Sequence, residues 1–120
     1  MASQSNVLLL LLLGVMAVAV SAADVVPAGG ADGWNEGIYY GTIDIHPGDS
    51  VVFDYAEGVH NVVQVDINGY KGCYAGNNAP TWTSGNDKIT FYAPQVTYFI
   101  CTFDGHCNNG MKVMVNVMQS

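Results

Sequence analysis

Hydrophobic and polar positions after residue 24 alternate with a period of two, which is the period of a strand rather than a helix. In residues 112–117, Val113, Val115 and Val117 would face one side, and the residues between them the other. Similar runs of β-branched and aromatic residues occur, at 50–55, 61–67, 88–92 and 97–103. Clusters of Gly, Pro, Asn and Asp separate these runs. The pattern predicts an all-β single domain, a β-sandwich or a small barrel.

The first residues have a different character. Residues 7–20 are apolar apart from Gly14, and a stretch of about 14 residues is short beside the roughly 20 that span a bilayer. Small residues follow at 21–23, as a signal peptidase requires. A buried helix or a membrane anchor is the alternative, but no basic stop-transfer flank follows. We therefore predict a cleaved signal peptide at 1–23 and a secreted mature domain at 24–120, without a membrane anchor.

Charge and length limit the classes of function. The 120-residue chain has ten Asp and Glu, three Lys and no Arg, which gives a formal net charge of −7. Such an acidic chain has no electrostatic footprint for nucleic acid or for an anionic membrane surface. The length that remains after the leader suffices for one core but not for two domains. Multidomain enzymes and nucleic-acid readers are therefore excluded.

The cysteines and histidines point to a metal. Three cysteines cannot all pair within one chain, so one thiol in an oxidising compartment needs another role. Cys101, His106 and Met111 recur at five-residue intervals in a Gly- and Asn-rich loop, and His60 stands at the head of an upstream strand. Two imidazoles, one thiolate and a weak axial thioether are the ligand set of blue copper. We expect one type 1 copper ion.

Each of these residues alone has an ordinary structural explanation. A single His before a strand is usually a surface residue, and a single Met at the end of a loop usually packs in the core. The combination of types and spacing is far more specific. Copper ligation would also hold Cys101 as a thiolate, which leaves Cys73 and Cys107 to form a disulfide. His46 precedes Pro47 and Gly48, and we interpret it as a turn residue.

At these positions the chain resembles the phytocyanins, the plant branch of the cupredoxin family, and within them the plantacyanins or basic blue proteins. The resemblance covers nearly all of residues 24–118. It includes segments 31–34, 47–53, 59–63, 70–73, 84–87 and 98–112. It implies a cupredoxin-like Greek-key β-sandwich, and it assigns His60, Cys101, His106 and Met111 as copper ligands and Cys73–Cys107 as the disulfide. A Met at position 111 differs from the Gln of the stellacyanin type, and the sequence pI of about 4.3 differs from that of basic members.

These features predict a non-enzymatic electron carrier that cycles between Cu(II) and Cu(I) outside the cell, in the apoplast or cell wall. We expect His106 to expose an imidazole edge, Gly58 and Gly110 to allow close approach of a partner, and Asn61 to tune the site. The expected partner is a cationic protein or a small electron donor, and the protein is expected to be monomeric. One alternative is an extracellular interaction or signalling module whose copper is mainly structural. A zinc or copper storage site is a further alternative, although storage gains nothing from a weak axial thioether.

Overall fold

The computed structural model describes residues 22–119. The predicted leader at residues 1–23 lies almost entirely outside this range. Within the described residues, no helix has the length and apolar character needed to cross a membrane.

In the described part of the chain, eight strands form two sheets. They are β1 (Val25–Pro27), β2 (Thr42–Ile45), β3 (Ser50–Asp54), β4 (Val62–Val65), β5 (Thr81–Trp82), β6 (Asn86–Thr90), β7 (Gln95–Ile100) and β8 (Lys112–Val117). One sheet has the order β1-β3-β6, and the other has the order β2-β8-β7-β4-β5. The β1–β3 and β2–β8 pairs are parallel, whereas the other pairs are antiparallel. The prediction of an all-β sandwich is confirmed.

The period-two pattern identified the longer strands, although the runs predicted at 88–92 and 97–103 are observed as Asn86–Thr90 and Gln95–Ile100. β8 has the predicted bounds, and its three valines are buried while the alternate residues are partly exposed. The predicted strand at 61–67 is too long, because β4 ends at Val65 and a short helix, α1 (Ile67–Gly72), follows. Asp66 caps this helix by accepting a hydrogen bond from the Gly69 amide at 2.8 Å, and Cys73 ends it in a left-handed conformation. Six residues are too few to show helical periodicity, which explains the error.

Aromatic side chains join the two sheets and fix the frame of the site. The ring of Trp34 lies 5.0 Å from that of Phe53 on β3, which in turn lies 5.4 Å from Phe99 on β7. All three side chains are fully buried, and burial of each one stabilises the fold by about 1.5–3 kcal/mol. The indole nitrogen of Trp34 donates to the Asn61 carbonyl at 2.8 Å. The core therefore holds the segment that leads into β4 at a fixed position.

Candidate metal centre

His60 lies on a short turn that enters β4. The Val59 amide donates to the Ala56 carbonyl at 3.2 Å, and Gly58 has a φ of +89° that favours glycine. The His60 side chain is directed inward, so the residue is only 8% exposed. Because β4 pairs with β7, this turn is adjacent to the end of the strand that leads to Cys101.

A closed loop at residues 101–111, called the metal loop below, connects β7 to β8 and carries the other three predicted ligands. The Cys101 amide donates to the Met111 carbonyl at 3.0 Å, and the Met111 amide donates to the His106 carbonyl at 3.1 Å. The His106 amide in turn donates to the Phe103 carbonyl at 3.0 Å. Backbone hydrogen bonds thus join all three ligand positions, so that the loop presents them as one unit.

Three donor atoms converge between these two segments. The Nδ1 atoms of His60 and His106 lie 3.0 Å apart, and the Cys101 Sγ lies 3.6 Å from the His106 Nδ1. The ligand atoms of the three residues all lie within 4.8 Å of one another. Cys101 is a free cysteine and is fully buried. Two imidazole nitrogens and one soft sulfur this close together match the donor types that hold a copper ion.

Burial also favours the form of one imidazole that binds metals. Desolvation lowers the pKa of His60, and the neighbouring His106 lowers it further. A neutral imidazole has a lone pair to donate, whereas an imidazolium has none.

Met111 lies in the metal loop, whereas His46 lies away from it. The structure places the Met111 backbone between Cys101 and His106, and its side chain is fully buried. His46 lies in a separate turn, where its amide donates to Asp49 at 2.9 Å and its side chain is 58% exposed. His46 is therefore a turn residue, as predicted, and is not part of the donor cluster.

The disulfide links the metal loop to α1. Cys73 at the end of α1 is bonded to Cys107, which directly follows His106. Cys107, Val63 and Ile100 form a small second core beneath this connection. The bond predicted from cysteine parity is therefore present.

Two contacts of the site were missed or misread at the sequence level. Asn61 does not contact the sulfur through its side chain. Its amide instead donates to the Thr102 hydroxyl, and its oxygen accepts from the Thr102 amide, both at 2.8 Å. Glu36 was not predicted at all, yet its carboxylate Oε2 lies 3.5 Å from the His106 Nε2.

The two glycines expected to admit a partner behave differently. A Cβ atom on Gly110 would lie 3.3 Å from the Ile38 carbonyl of the chain itself, whereas one on Gly58 would meet open space. The absence of a side chain at Gly110 therefore allows the segment at Ile38 to pack closely against the loop. The His106 side chain is 20% exposed, and it therefore presents an edge to solvent as expected.

The surface around this edge is mixed in character. The ring of Phe103, which is 38% exposed, lies 5.8 Å from that of His106, and Val59, which precedes His60, is 47% exposed. Glu57 and Asp104 are exposed carboxylates on the His60 turn and in the metal loop. The three lysines lie on α1, β6 and β8. The lysine on β8 is Lys112, and its ammonium group donates to the Tyr70 carbonyl.

Comparisons with known proteins agree with this geometry. The plastocyanin-like domain family matches residues 33–111. The basic blue protein of Cucumis sativus is 39% identical over 92 residues, which cover 75% of this chain and 95% of that protein. The chemocyanin of Lilium longiflorum is 41% identical over 86 residues, 72% of this chain, and the chain spans only 64% of its length.

Solved structures give the same result. The cucumber basic protein, a blue copper protein, superposes with a TM-score of 0.69 at 36% identity, covering 78% of this chain and 99% of that one. Spinach plantacyanin gives a TM-score of 0.63 at 39% identity, covering 72% and 94%. The cupredoxin-like fold expected from the sequence is therefore confirmed.

Proposed function

The chain belongs to the phytocyanins, within the plastocyanin-like family, and from this premise we propose that it is a secreted blue copper protein that carries single electrons. The observation that supports this most directly is the convergence of the His60, Cys101 and His106 donor atoms within 4.8 Å. These three residues would hold the copper ion, and Met111 would supply a fourth, weak thioether ligand. Copper bound there would supply one-electron chemistry through the Cu(II)/Cu(I) couple.

The residues of the chain would do three things in this function. The buried Cys101 thiolate and the His60 imidazole hold their donor atoms in a dry environment, anchored by β4 and β7. The backbone hydrogen bonds of the loop limit how far Cys101 and His106 can move when the charge of the site changes. The exposed edge of His106 gives a partner a short route to the site. Such an arrangement favours electron transfer over substrate turnover, and we infer that the protein is not an enzyme.

Absorption spectroscopy of the purified, copper-loaded protein tests this proposal. We expect an intense blue thiolate-to-copper band that is lost in Cys101→Ser and in His106→Ala. His46→Ala is the matched control, because His46 is a histidine outside the cluster, and this variant should keep the band. A colourless copper complex, or a band that persists without the Cys101 thiol, would refute the assignment.

The surface charge supports a cationic partner. Exposed Glu57 and Asp104 lie on the two ligand-bearing segments, and the whole chain has only three basic side chains against ten acidic ones. Opposite charges raise association rates in a way that salt screens, with a Debye length of about 8 Å at physiological ionic strength. We expect electron exchange with a cationic metal complex to slow as salt is added, and exchange with an anionic complex of similar size to quicken. Equal salt dependence for the two complexes would contradict a cationic partner.

Secretion as a monomer is also part of the proposal. The Cys73–Cys107 disulfide supports an oxidising compartment such as the apoplast or cell wall, because cytosolic disulfides are rare. N-terminal sequencing of protein recovered from the medium of expressing plant cells tests this. We expect a start near Ala23 or Asp24, whereas retention in the cytosol with residue 1 intact would refute it.

A further inference from the structure

The carboxylate of Glu36 occupies a position that the proposed copper function does not explain. Its Oε2 lies 3.5 Å from the His106 Nε2, on the ring edge opposite the Nδ1 that faces His60 and Cys101. Its other oxygen, Oε1, accepts a hydrogen bond from the Asn109 side chain at 3.0 Å. The two carboxylate oxygens thus have different partners, both of which belong to the metal loop.

The turn that carries Glu36 is held in place from the core. The buried Tyr40 hydroxyl accepts from the Asn35 amide at 2.7 Å and lies 2.9 Å from the carbonyls of Asn35 and Gly33. Its ring packs on that of Trp34 at 4.8 Å. Gly37, next to Glu36, has a φ of +78°, a conformation that closes the turn and favours glycine. The backbone at Glu36 is therefore fixed, although the side chain itself is 42% exposed.

The metal loop approaches this turn closely from the other side. Gly110 lies so near the Ile38 carbonyl that an added Cβ would stand 3.3 Å from it. The metal loop and the Glu36 turn are therefore joined by two contacts, the hydrogen bond from Asn109 to Glu36 and the close packing of Gly110 on Ile38. The contact between Glu36 and His106 is therefore built into the packing of two segments, and does not depend on two free surface side chains meeting.

A carboxylate at this position has a chemical consequence for the imidazole. An acceptor at Nε2 favours the tautomer that carries its proton there, which leaves the Nδ1 lone pair free to bind a metal ion. We propose that Glu36 is a positioning residue that fixes the His106 tautomer and orientation and thereby favours the oxidised metal. This inference rests on the proposed function only for its effect on copper, since the tautomer is a property of the protein alone.

The first test uses metal-free protein at pH 8. Long-range proton–nitrogen NMR spectra of the His106 ring report which nitrogen carries the proton. We expect the Nε2–H tautomer to dominate in the wild type and to give way to a mixture in Glu36→Ala. Glu36→Gln should be intermediate, because its amide oxygen can still accept. An unchanged tautomer ratio in Glu36→Ala would overturn the proposal.

A matched control separates the contact from general electrostatics. Asp32 is an exposed carboxylate in the same segment, so Asp32→Asn removes one negative charge without touching His106. We expect Asp32→Asn to leave the tautomer ratio unchanged, and an equal shift in both variants would count against a specific role for Glu36. Asn109→Ala keeps the Glu36 carboxylate but removes its hydrogen bond to Asn109. This variant should shift the tautomer ratio less than Glu36→Ala does.

The second test measures copper binding. Loss of a carboxylate that supports a metal-bound histidine commonly weakens affinity about 10-fold or more. We expect Glu36→Ala to lose about 10-fold in Cu(II) affinity while Cu(I) affinity stays constant, which corresponds to a rise of about 59 mV in reduction potential for one electron. Equal losses in both oxidation states would indicate a merely structural role and overturn the proposal. If the wild type bound no copper, the proposed function would fail, whereas the NMR result would still decide the role of Glu36.

Discussion

Replacement of Asn61 by alanine tests whether the two ligand-bearing segments are held together by side-chain hydrogen bonds. The variant removes both bonds to Thr102, each 2.8 Å long. A net contribution of about 0.5–1.5 kcal/mol per bond applies in general, and the partly exposed position favours the lower half of that range. We therefore expect Asn61→Ala to lower the free energy of unfolding by about 1–2 kcal/mol. In thermal unfolding of the metal-free protein, followed by circular dichroism, the midpoint temperature should fall by about 4–8 °C for each kcal/mol that is lost.

A double-mutant cycle makes the test specific. Thr102→Val deletes only the hydroxyl partner and keeps the amide bond to Asn61, so it should cost about half as much. Once Asn61 is alanine, the same substitution should cost almost nothing further, since its partner is already gone. Fully additive losses, or a loss below about 0.3 kcal/mol in Asn61→Ala, would refute the reasoning.

Three further variants test other parts of the structure. Hydrogen bonds from the Asp24 amide and then from the His46 amide lower the pKa of Asp49. The stability that the Asp49 carboxylate contributes is therefore present above its unfolded pKa and is lost as pH falls below about 4. In denaturation experiments at a series of pH values, the free energy of unfolding of Asp49→Asn should fall less steeply at acid pH than that of the wild type. Serine at both disulfide cysteines opens a loop with a sequence separation of 34, and urea titration should show a loss of about 3–4 kcal/mol. Phe99→Ala should cost about 3–5 kcal/mol in the same titration, whereas Val96→Ala on the same strand, where the side chain is 49% exposed, should cost below about 0.5 kcal/mol.

Features encoded by local order along the chain were predictable. The valines of β8 alternate with polar and long residues, and such a pattern specifies both the strand and its buried face. The odd cysteine count and the five-residue spacing of Cys101, His106 and Met111 were equally local signals. They led to the donor cluster and to the disulfide without any knowledge of the sheet order.

Features that arise from distant segments were not predictable. Glu36 precedes His106 by 70 residues in sequence, and their contact depends on how the Tyr40 hydroxyl shapes one turn. Helix α1 depends on a single cap at Asp66 and on its disulfide, rather than on a hydrophobic stripe. Gly110 was interpreted as a point of access because the sequence contains no trace of the Ile38 carbonyl beside it. In each case the missing information was tertiary packing.

The place of β8 in the larger sheet has a consequence for how the protein is made. β8 lies between β2 and β7, so one strand pairs with residues 42–45 on one side and with residues 95–100 on the other. It is also synthesised after both of these partners. A nascent chain that stops before residue 112 lacks β8, the strand that pairs with both β2 and β7. Such a chain cannot close its larger sheet during synthesis. Completion of this sheet is therefore postponed until residues 112–117 emerge, and the pairing of β2 with β8 across such a long separation favours slow closure.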